Sequence, residues 1–290
     1  MISAAIQTLR PRQWTKNLVI FAGILFDGQI NHLTPLLRVC AAFVIFCLVS
    51  GMTYTINDIM DVTNDREHPQ KKFRPIASGR LSIGQATGLV VLLALVTFPA
   101  AFYLSAWLGL VCLAYTALML LYSKWLKQVM IIDVMVIALG FVLRVLAGIT
   151  VISVNYVSPW LFVLTTLLAL FLGFGKRLSE LRLLETEAGN YRKVLSGYTE
   201  SLLQQYLLVV LTAIIITYSL YTFTAHPLGT RYTMMLTIPF VLYGFFHYLA
   251  ILNNSTDAIS PEEVLLRDRP LQITIVLWAL AVMAILYIVY

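Results

Sequence analysis

The chain has 290 residues, 60% of them hydrophobic and 12% charged, with a net charge of +6. A soluble domain carries roughly 25% charged residues, so this composition cannot clothe a water-facing surface and excludes an ordinary soluble protein. The positive balance requires no nucleic-acid partner, because the basic residues follow a membrane pattern.

Nine apolar stretches fall at 14–31, 38–57, 84–103, 105–122, 129–151, 158–175, 202–223, 231–251 and 271–290. Each approaches the roughly 20 residues that a spanning helix needs. Backbone groups in hydrocarbon must bond internally, which leaves helices or a closed barrel, and these runs are too long and unalternating for barrel strands. The expected fold is all-α, a polytopic bundle of nine transmembrane helices, with 1–290 as one domain. Arg10, Arg12 and Lys16, at or just before the start of the first apolar run, make a cleaved signal peptide an unsuitable reading. Cys40, Cys47 and Cys112 lie inside apolar segments without metal-ligand spacing, so packing is expected of them.

Threading nine helices from an inner N-terminus places all 20 Lys and Arg on the inner side except Arg38, Arg144 and Arg231. That asymmetry sets orientation and puts the chemistry on the cytoplasmic face; the expected location is a bacterial inner membrane. All 14 acidic residues except Asp27 and Asp133 share that side. Charge of both signs collects in two inner loops, 58–83 and 176–201.

In the first loop, Asp58, Asp61 and Asp65 are spaced three and four apart, within about 60° on one face of a helix continuing from the second span. Tyr54 and Asn57 lie about one turn earlier. No structural partner for three stacked carboxylates is evident from the sequence, and a divalent cation would balance them. Mg²⁺ takes one or two carboxylates with phosphate oxygens and waters, and an Asn carbonyl is a suitable further oxygen. Arg66, His68, Lys71, Lys72 and Arg74 follow, a cluster suited to a polyanion. Pro69 and Pro75 end helical structure there.

The run Asn57-Asp58-x-x-Asp61-x-x-x-Asp65 with Lys72-x-Arg74-Pro75-x-x-Ser78-Gly79 resembles the first Asp-rich motif of the UbiA superfamily. That resemblance implies a nine-helix fold in which the motif uses Mg²⁺ to bind a diphosphate leaving group. Its aromatic prenyltransferases carry a second Asp-rich motif after the sixth helix. Here Gly175-Lys176-Arg177-Leu178-Ser179-Glu180-Leu181 stands in that place, and Asp is absent from 134–256.

The departure is similar to a narrower group, the decaprenyl-phosphate phosphoribosyltransferase branch. Arg10-Pro11-Arg12-Gln13-Trp14-Thr15-Lys16-Asn17, Asp65-Arg66-Glu67-His68-Pro69 and Lys72-Phe73-Arg74-Pro75-Ile76 carry the likeness. So do Gly175-Lys176-Arg177, Arg192-Lys193 with Tyr198-Thr199, Pro261-Glu262 and Leu266-Arg267-Asp268-Arg269. The resemblance implies transfer of 5-phosphoribose from phosphoribosyl pyrophosphate to a polyprenyl phosphate, within the lipid bilayer. It implies Mg²⁺ on Asn57, Asp61 and Asp58 or Asp65, the three aspartates being the expected catalytic set. Expected substrate contacts are Lys16, Tyr54, Arg66, His68, Lys71, Arg74, Lys124, Arg144, Lys176, Arg177 and Tyr198. Cations in place of the second acidic motif suit a donor and acceptor that together present three anionic groups.

Arg144 lies midway along the fifth span, where a charge is expensive and faces a cavity. Asp133 is three turns away, about 16 Å at 1.5 Å per residue, so Arg144 is expected to reach a substrate phosphate or a carboxylate on another helix. His32, His226 and His247 are scattered singly and receive no role. A prenyltransferase joining a prenyl diphosphate to an aromatic or lipid acceptor is the competing enzyme reading, and a transporter the competing non-enzyme. Assembly into homo-oligomers is left open.

Overall fold

Polar interruptions, and at Arg10 a left-handed backbone, decide where the helices begin and end. The computed structural model describes residues 2–67, 70–153, 158–186, 193–224, 232–254, 264–265 and 267–287, and among these it contains no strand. A short helix α1 (Ile2–Thr8) ends at Arg10, whose backbone is left-handed (φ 52°, ψ 63°). Pro11 then opens a 3₁₀ helix, Pro11–Phe21, which passes into α2 (Ala22–Phe26). The helices that follow are α3 (Leu33–Met60), α4 (Val62–Glu67), α5 (Ile83–Leu104), α6 (Ala106–Lys124), α7 (Ile132–Ile149), α8 (Pro159–Thr186), α9 (Glu200–Thr224), α10 (Ile238–Asn254) and α11 (Arg269–Tyr287).

Eight described segments are long and apolar enough to cross a membrane: α3, α5, α6, α7, α8, α9, α10 with the 3₁₀ turn before it, and α11. The first of the nine expected spans, 14–31, differs. It is the 3₁₀ helix followed by α2. Eleven residues at 2.0 Å and five at 1.5 Å extend about 30 Å, close to the hydrocarbon thickness. A tighter helix thus covers with fewer residues the length expected of a longer one.

The chain forms two compact units, Met1–Leu126 with Gly140–Asn155, and Lys127–Leu139 with Tyr156–Tyr290. Each unit has its own buried core. In the first, Ile20, Val39, Phe46, Leu108, Tyr115 and Ala147 bring the 3₁₀ helix, α3, α6 and the later part of α7 together. In the second, Val134, Phe171, Leu178, Leu203 and Tyr248 join the start of α7 to α8, α9 and α10.

Polar groups fasten the ends of these helices. Ser82 and Gln85 form a reciprocal cap that starts α5, satisfying two backbone donors the helix leaves open. Arg38 donates to the carbonyls of Val151 (2.5 Å) and Leu104 (2.8 Å). Its charge lies where the C-terminal ends of helices favour a cation, and it ties α3 to α5 and to the turn after α7.

The closest backbone approach in the first unit is at Gly148, where an added Cβ would lie 1.9 Å from the Ile20 carbonyl oxygen. Only a residue without a side chain lets α7 meet the 3₁₀ helix this way. Overpacking costs about 1–3 kcal/mol and occasionally more, and here the obstacle is backbone. Gly148→Ala should lower the thermal midpoint in detergent strongly, whereas Gly88→Ala, with nothing within 4 Å of the new Cβ, should leave it unchanged or slightly raised. Equal midpoints for the two variants would contradict this packing.

Candidate functional site

Helix α3 does not continue smoothly through the carboxylates. It ends at Met60, and Asp61 caps it in a non-helical conformation (φ −95°, ψ 9°) before α4 resumes. Hydrogen bonds bridge the break, from the Asp61 N–H to the Asn57 carbonyl (2.9 Å) and from the Asp65 N–H to the Asp61 carbonyl (2.8 Å). Asp58 and Asp65 are buried and Asp61 is half-buried.

The stacked carboxylates have structural partners that the sequence did not reveal. Arg74 Nη1 donates to both Asp58 Oδ1 (3.1 Å) and Asp65 Oδ2 (2.7 Å), and Arg10 Nη2 donates to Asp58 Oδ1 at 2.5 Å. Buried carboxylates demand such pairing, since an uncompensated charge away from water is costly.

Local geometry explains how both arginines arrive. Arg74 precedes Pro75 and is extended (φ −60°, ψ 147°), the region proline imposes on its neighbour. The loop is held by Ser78 Oγ to the Arg74 carbonyl (2.7 Å) and by Arg80 Nη2 to the Phe73 carbonyl (2.7 Å). Gly79 takes φ 77°, a conformation that costs a glycine little. Arg10 reaches Asp58 from its left-handed turn and lies over the Tyr54 ring, 5.1 Å from its centroid. Such a backbone costs a non-glycine residue roughly 1–3 kcal/mol and persists where its surroundings enforce it. Helix α1 supports the turn by packing Ala4 against Ile76, Leu81 and Ala86. Beside the carboxylates a cavity of ≈ 290 Å³ is lined by Gln7, Arg10, Asp58, Gln70, Phe73, Arg74 and Pro75.

Among the described residues, no three His, Cys, Asp or Glu side chains are grouped as ligands for a metal. Mg²⁺ needs only one or two carboxylates besides phosphate and water oxygens. Asp58 and Asp65 meet that need, because oxygens of both converge on one cationic nitrogen of Arg74. The donor set therefore fits a divalent cation.

The other expected residues fall into different settings. Arg66 is exposed, with Nε donating to the Ala77 carbonyl (3.3 Å), and Lys16 and Lys71 are half-buried. Lys124 is exposed, its ammonium 4.4 Å from the Trp125 ring centroid. His68 lies outside the described residues. Arg144 is buried and meets no carboxylate among the described residues. Its partners are Asn17 Oδ1 (2.7 Å), the Tyr115 hydroxyl (2.8 Å) and the Gly140 carbonyl (2.9 Å).

The second unit holds a separate buried cluster. Arg177 Nε donates to Asp133 Oδ2 (2.7 Å) and its Nη1 to Glu180 Oε2 (2.5 Å). The Tyr198 hydroxyl donates to Asp133 Oδ1 (3.0 Å) and accepts from the Ile131 N–H (2.7 Å). Burial, reinforced by the Asp133 charge, pushes the Tyr198 hydroxyl up to about 12, so it stays protonated as a donor at neutral pH. Arg177 and Tyr198, expected to face substrate, are engaged within the protein, while Lys176 beside them is half-buried. The Arg177-x-x-Glu180 spacing signals part of this pairing. Arg10 and Gln7 also line the cavity; in the sequence Arg10 is visible only as the opening of a basic, proline-containing run.

Residues 18–262 match the UbiA prenyltransferase family. The chain belongs to that family and is a multi-pass membrane transferase. It is 33% identical to the decaprenyl-phosphate phosphoribosyltransferase of Mycolicibacterium smegmatis, across 99% of this chain and 93% of that one. The enzyme of the same name from Corynebacterium glutamicum is also 33% identical, over 98% and 86%. In fold, it is similar to a UbiA homolog from Archaeoglobus fulgidus bound to DMAPP and Mg²⁺, with a TM-score of 0.74, 20% identity, and coverage of 97% of this chain and 98% of that one.

Removing one partner of a buried ion pair costs about 3–5 kcal/mol, whereas replacing both by apolar residues is often neutral. Arg177→Met should therefore destabilise the protein strongly in detergent, and Asp133→Leu together with Arg177→Met should recover much of the loss. A normal thermal midpoint for Arg177→Met alone would show that the pair carries no structural weight.

Proposed function

We propose that the protein transfers 5-phosphoribose from phosphoribosyl pyrophosphate to a polyprenyl phosphate, releasing pyrophosphate. The observation that carries this reading is the near end-to-end identity with decaprenyl-phosphate phosphoribosyltransferases, 33% over 99% of this chain in the M. smegmatis comparison. The site chemistry supports it: the buried Asp58 and two guanidinium groups border one cavity, and one of those guanidinium groups also holds the buried Asp65.

Asp58 and Asp65, with Asn57 and Asp61 at the same helix break, would hold Mg²⁺, which when bound would neutralise charge on a departing pyrophosphate. Arg10 and Arg74 border the cavity and offer N–H donors that suit phosphate oxygens in a bidentate manner. Gln7 and Gln70 add neutral donors at its rim. Lys71 on the same loop and Arg66 on α4 stand as further cations. The acceptor phosphate is an anion at neutral pH, so its attack on C1 of the ribose needs no general base from the protein. Positive character develops at C1, as in other glycosyl transfers, and a single displacement inverts that centre. The protein's contribution is positioning and fixed electrostatics at the membrane edge. The polyprenyl tail lies along an apolar surface open to lipid, and the charged loops face the cytoplasm of a bacterial inner membrane.

Sealed vesicles test reaction and orientation together. Labelled phosphoribosyl pyrophosphate, which does not cross lipid, should label polyprenyl phosphate in inside-out vesicles with Mg²⁺ and not in intact right-side-out vesicles. EDTA should abolish the transfer. Labelling confined to right-side-out vesicles would overturn the orientation. Alkylation of an aromatic acceptor by a prenyl diphosphate, with the ribosyl donor ignored, would overturn the reaction.

A further inference from the structure

One residue of the loop that follows α4 stands at the charged site without a part in its chemistry. Phe73 lines the cavity together with Asp58, the guanidinium-bearing Arg10 and Arg74, and the amide-bearing Gln7 and Gln70. The remaining lining residue, Pro75, is buried. Phe73 alone among them combines an apolar side chain with high exposure, at 66%. Apolar surface gains by leaving water in proportion to its area, so this ring favours whatever can cover it.

The backbone that carries the ring is braced on both sides. The Phe73 carbonyl accepts from Arg80 Nη2 (2.7 Å), and the Phe73 N–H donates to the Gln70 carbonyl (3.4 Å). In the next residue, the Arg74 N–H donates to the Lys71 carbonyl (2.9 Å), while its guanidinium is held by Asp58 and Asp65. Pro75 and Ile76 beyond it are buried. A braced turn thus presents an exposed ring at a site whose other groups are polar. The Lys72 ammonium lies 5.3 Å from the ring centroid. A charge beside the ring suits a watered substrate site better than hydrocarbon, where an ion is costly.

The rest of the lining says what kind of body would cover the ring. Ligand sites combine apolar contact area with a few polar groups that fix orientation. Here the polar groups are abundant and the exposed apolar area is one ring. The cavity holds ≈ 290 Å³, near the lower limit of the roughly 300–1,000 Å³ of small-molecule sites. An isoprenoid chain is apolar all round and calls for several apolar side chains in the wall. A pentose is compact, with C–H groups to set against a ring and hydroxyl groups for a polar rim.

We propose that Phe73 is a specificity-determining residue: its ring packs against the ribosyl body of the donor while Arg10 and Arg74 take the diphosphate. The identity of that body comes from the phosphoribosyl transfer proposed above; Phe73 is the residue that recognises it. Charge selects the leaving group, and the ring selects the group transferred. Bare pyrophosphate satisfies only the first.

Binding titrations on the full-length protein in detergent with Mg²⁺ separate the two selections. The probes are phosphoribosyl pyrophosphate, inorganic pyrophosphate and dimethylallyl diphosphate. Phe73→Ala should weaken phosphoribosyl pyrophosphate about tenfold, the loss of one aromatic contact, and leave pyrophosphate within about twofold of wild type. Phe73→Tyr, which keeps the ring, should hold the ribosyl donor within about threefold of wild type. The side chain is exposed, so neither change should move the thermal midpoint, and lost affinity then reports lost contact. In turnover with polyprenyl phosphate, Phe73→Ala should raise KM for the ribosyl donor about tenfold with kcat nearly unchanged. Wild-type affinity of Phe73→Ala for the ribosyl donor, or an equal loss for pyrophosphate, would overturn the proposal and leave the transfer reaction standing. A loss confined to dimethylallyl diphosphate, in a protein that does not bind the ribosyl donor, would overturn that donor and its packing on Phe73 with it.

Discussion

Two carboxylates buried at the end of a membrane-crossing helix must be balanced, and the Arg74 guanidinium that lies between Asp58 and Asp65 meets that demand. Much of the first unit can be understood as the means of bringing it there. The loop from Lys71 to Ser82 folds back so that a pre-proline arginine reaches the break in α3, and α1 packs against that loop through Ala4. Arg10 adds a second guanidinium to Asp58 from a left-handed turn. Attraction between charges so poorly exposed to water is stronger than at an open surface, and Asp58, Arg10 and Arg74 border the cavity. In the proposed reaction a polyanion with a divalent cation exchanges partners with them, carboxylates turning to the metal and guanidinium groups to phosphate.

The two inner loops look alike in composition and are used differently. In the first unit charges border a cavity; in the second, Arg177 is consumed by Asp133 and Glu180, and Tyr198 completes the set. That cluster pins the start of α7 to α8 and to the residues ahead of α9. Helix α7 thus carries two buried polar anchors, Asp133 near its start and Arg144 eleven residues later, each satisfied by its own set of partners rather than by the other.

Periodicity and length made the spans legible, because a lipid-facing helix is read from its own apolar run. The carboxylate motif was legible for the same reason, being local. Contacts across the chain were not: Arg10 and Asp58 are 48 residues apart and Asp133 and Arg177 are 44 apart, and nothing in either segment specifies the other. The 3₁₀ form of Pro11–Phe21 escaped for a related reason. The contacts it makes are with α7, at Arg144 and Gly148, far along the chain, so an apolar run at 14–31 reads as an ordinary span. Arg144 was recognised as costly in lipid, but its neutral partners Asn17 and Tyr115 are far less conspicuous in a sequence than a carboxylate.

The central claim is that Asp58 and Asp65 exchange their arginine partners for a metal when a diphosphate arrives. Titration of the purified protein with Mn²⁺, followed by electron paramagnetic resonance with and without inorganic pyrophosphate, tests it most directly. Wild type should bind Mn²⁺ roughly tenfold or more tightly with pyrophosphate present, and Asp58→Asn and Asp65→Asn, still folded, should each lose that gain. Undiminished pyrophosphate-dependent Mn²⁺ binding in both variants would contradict the claim.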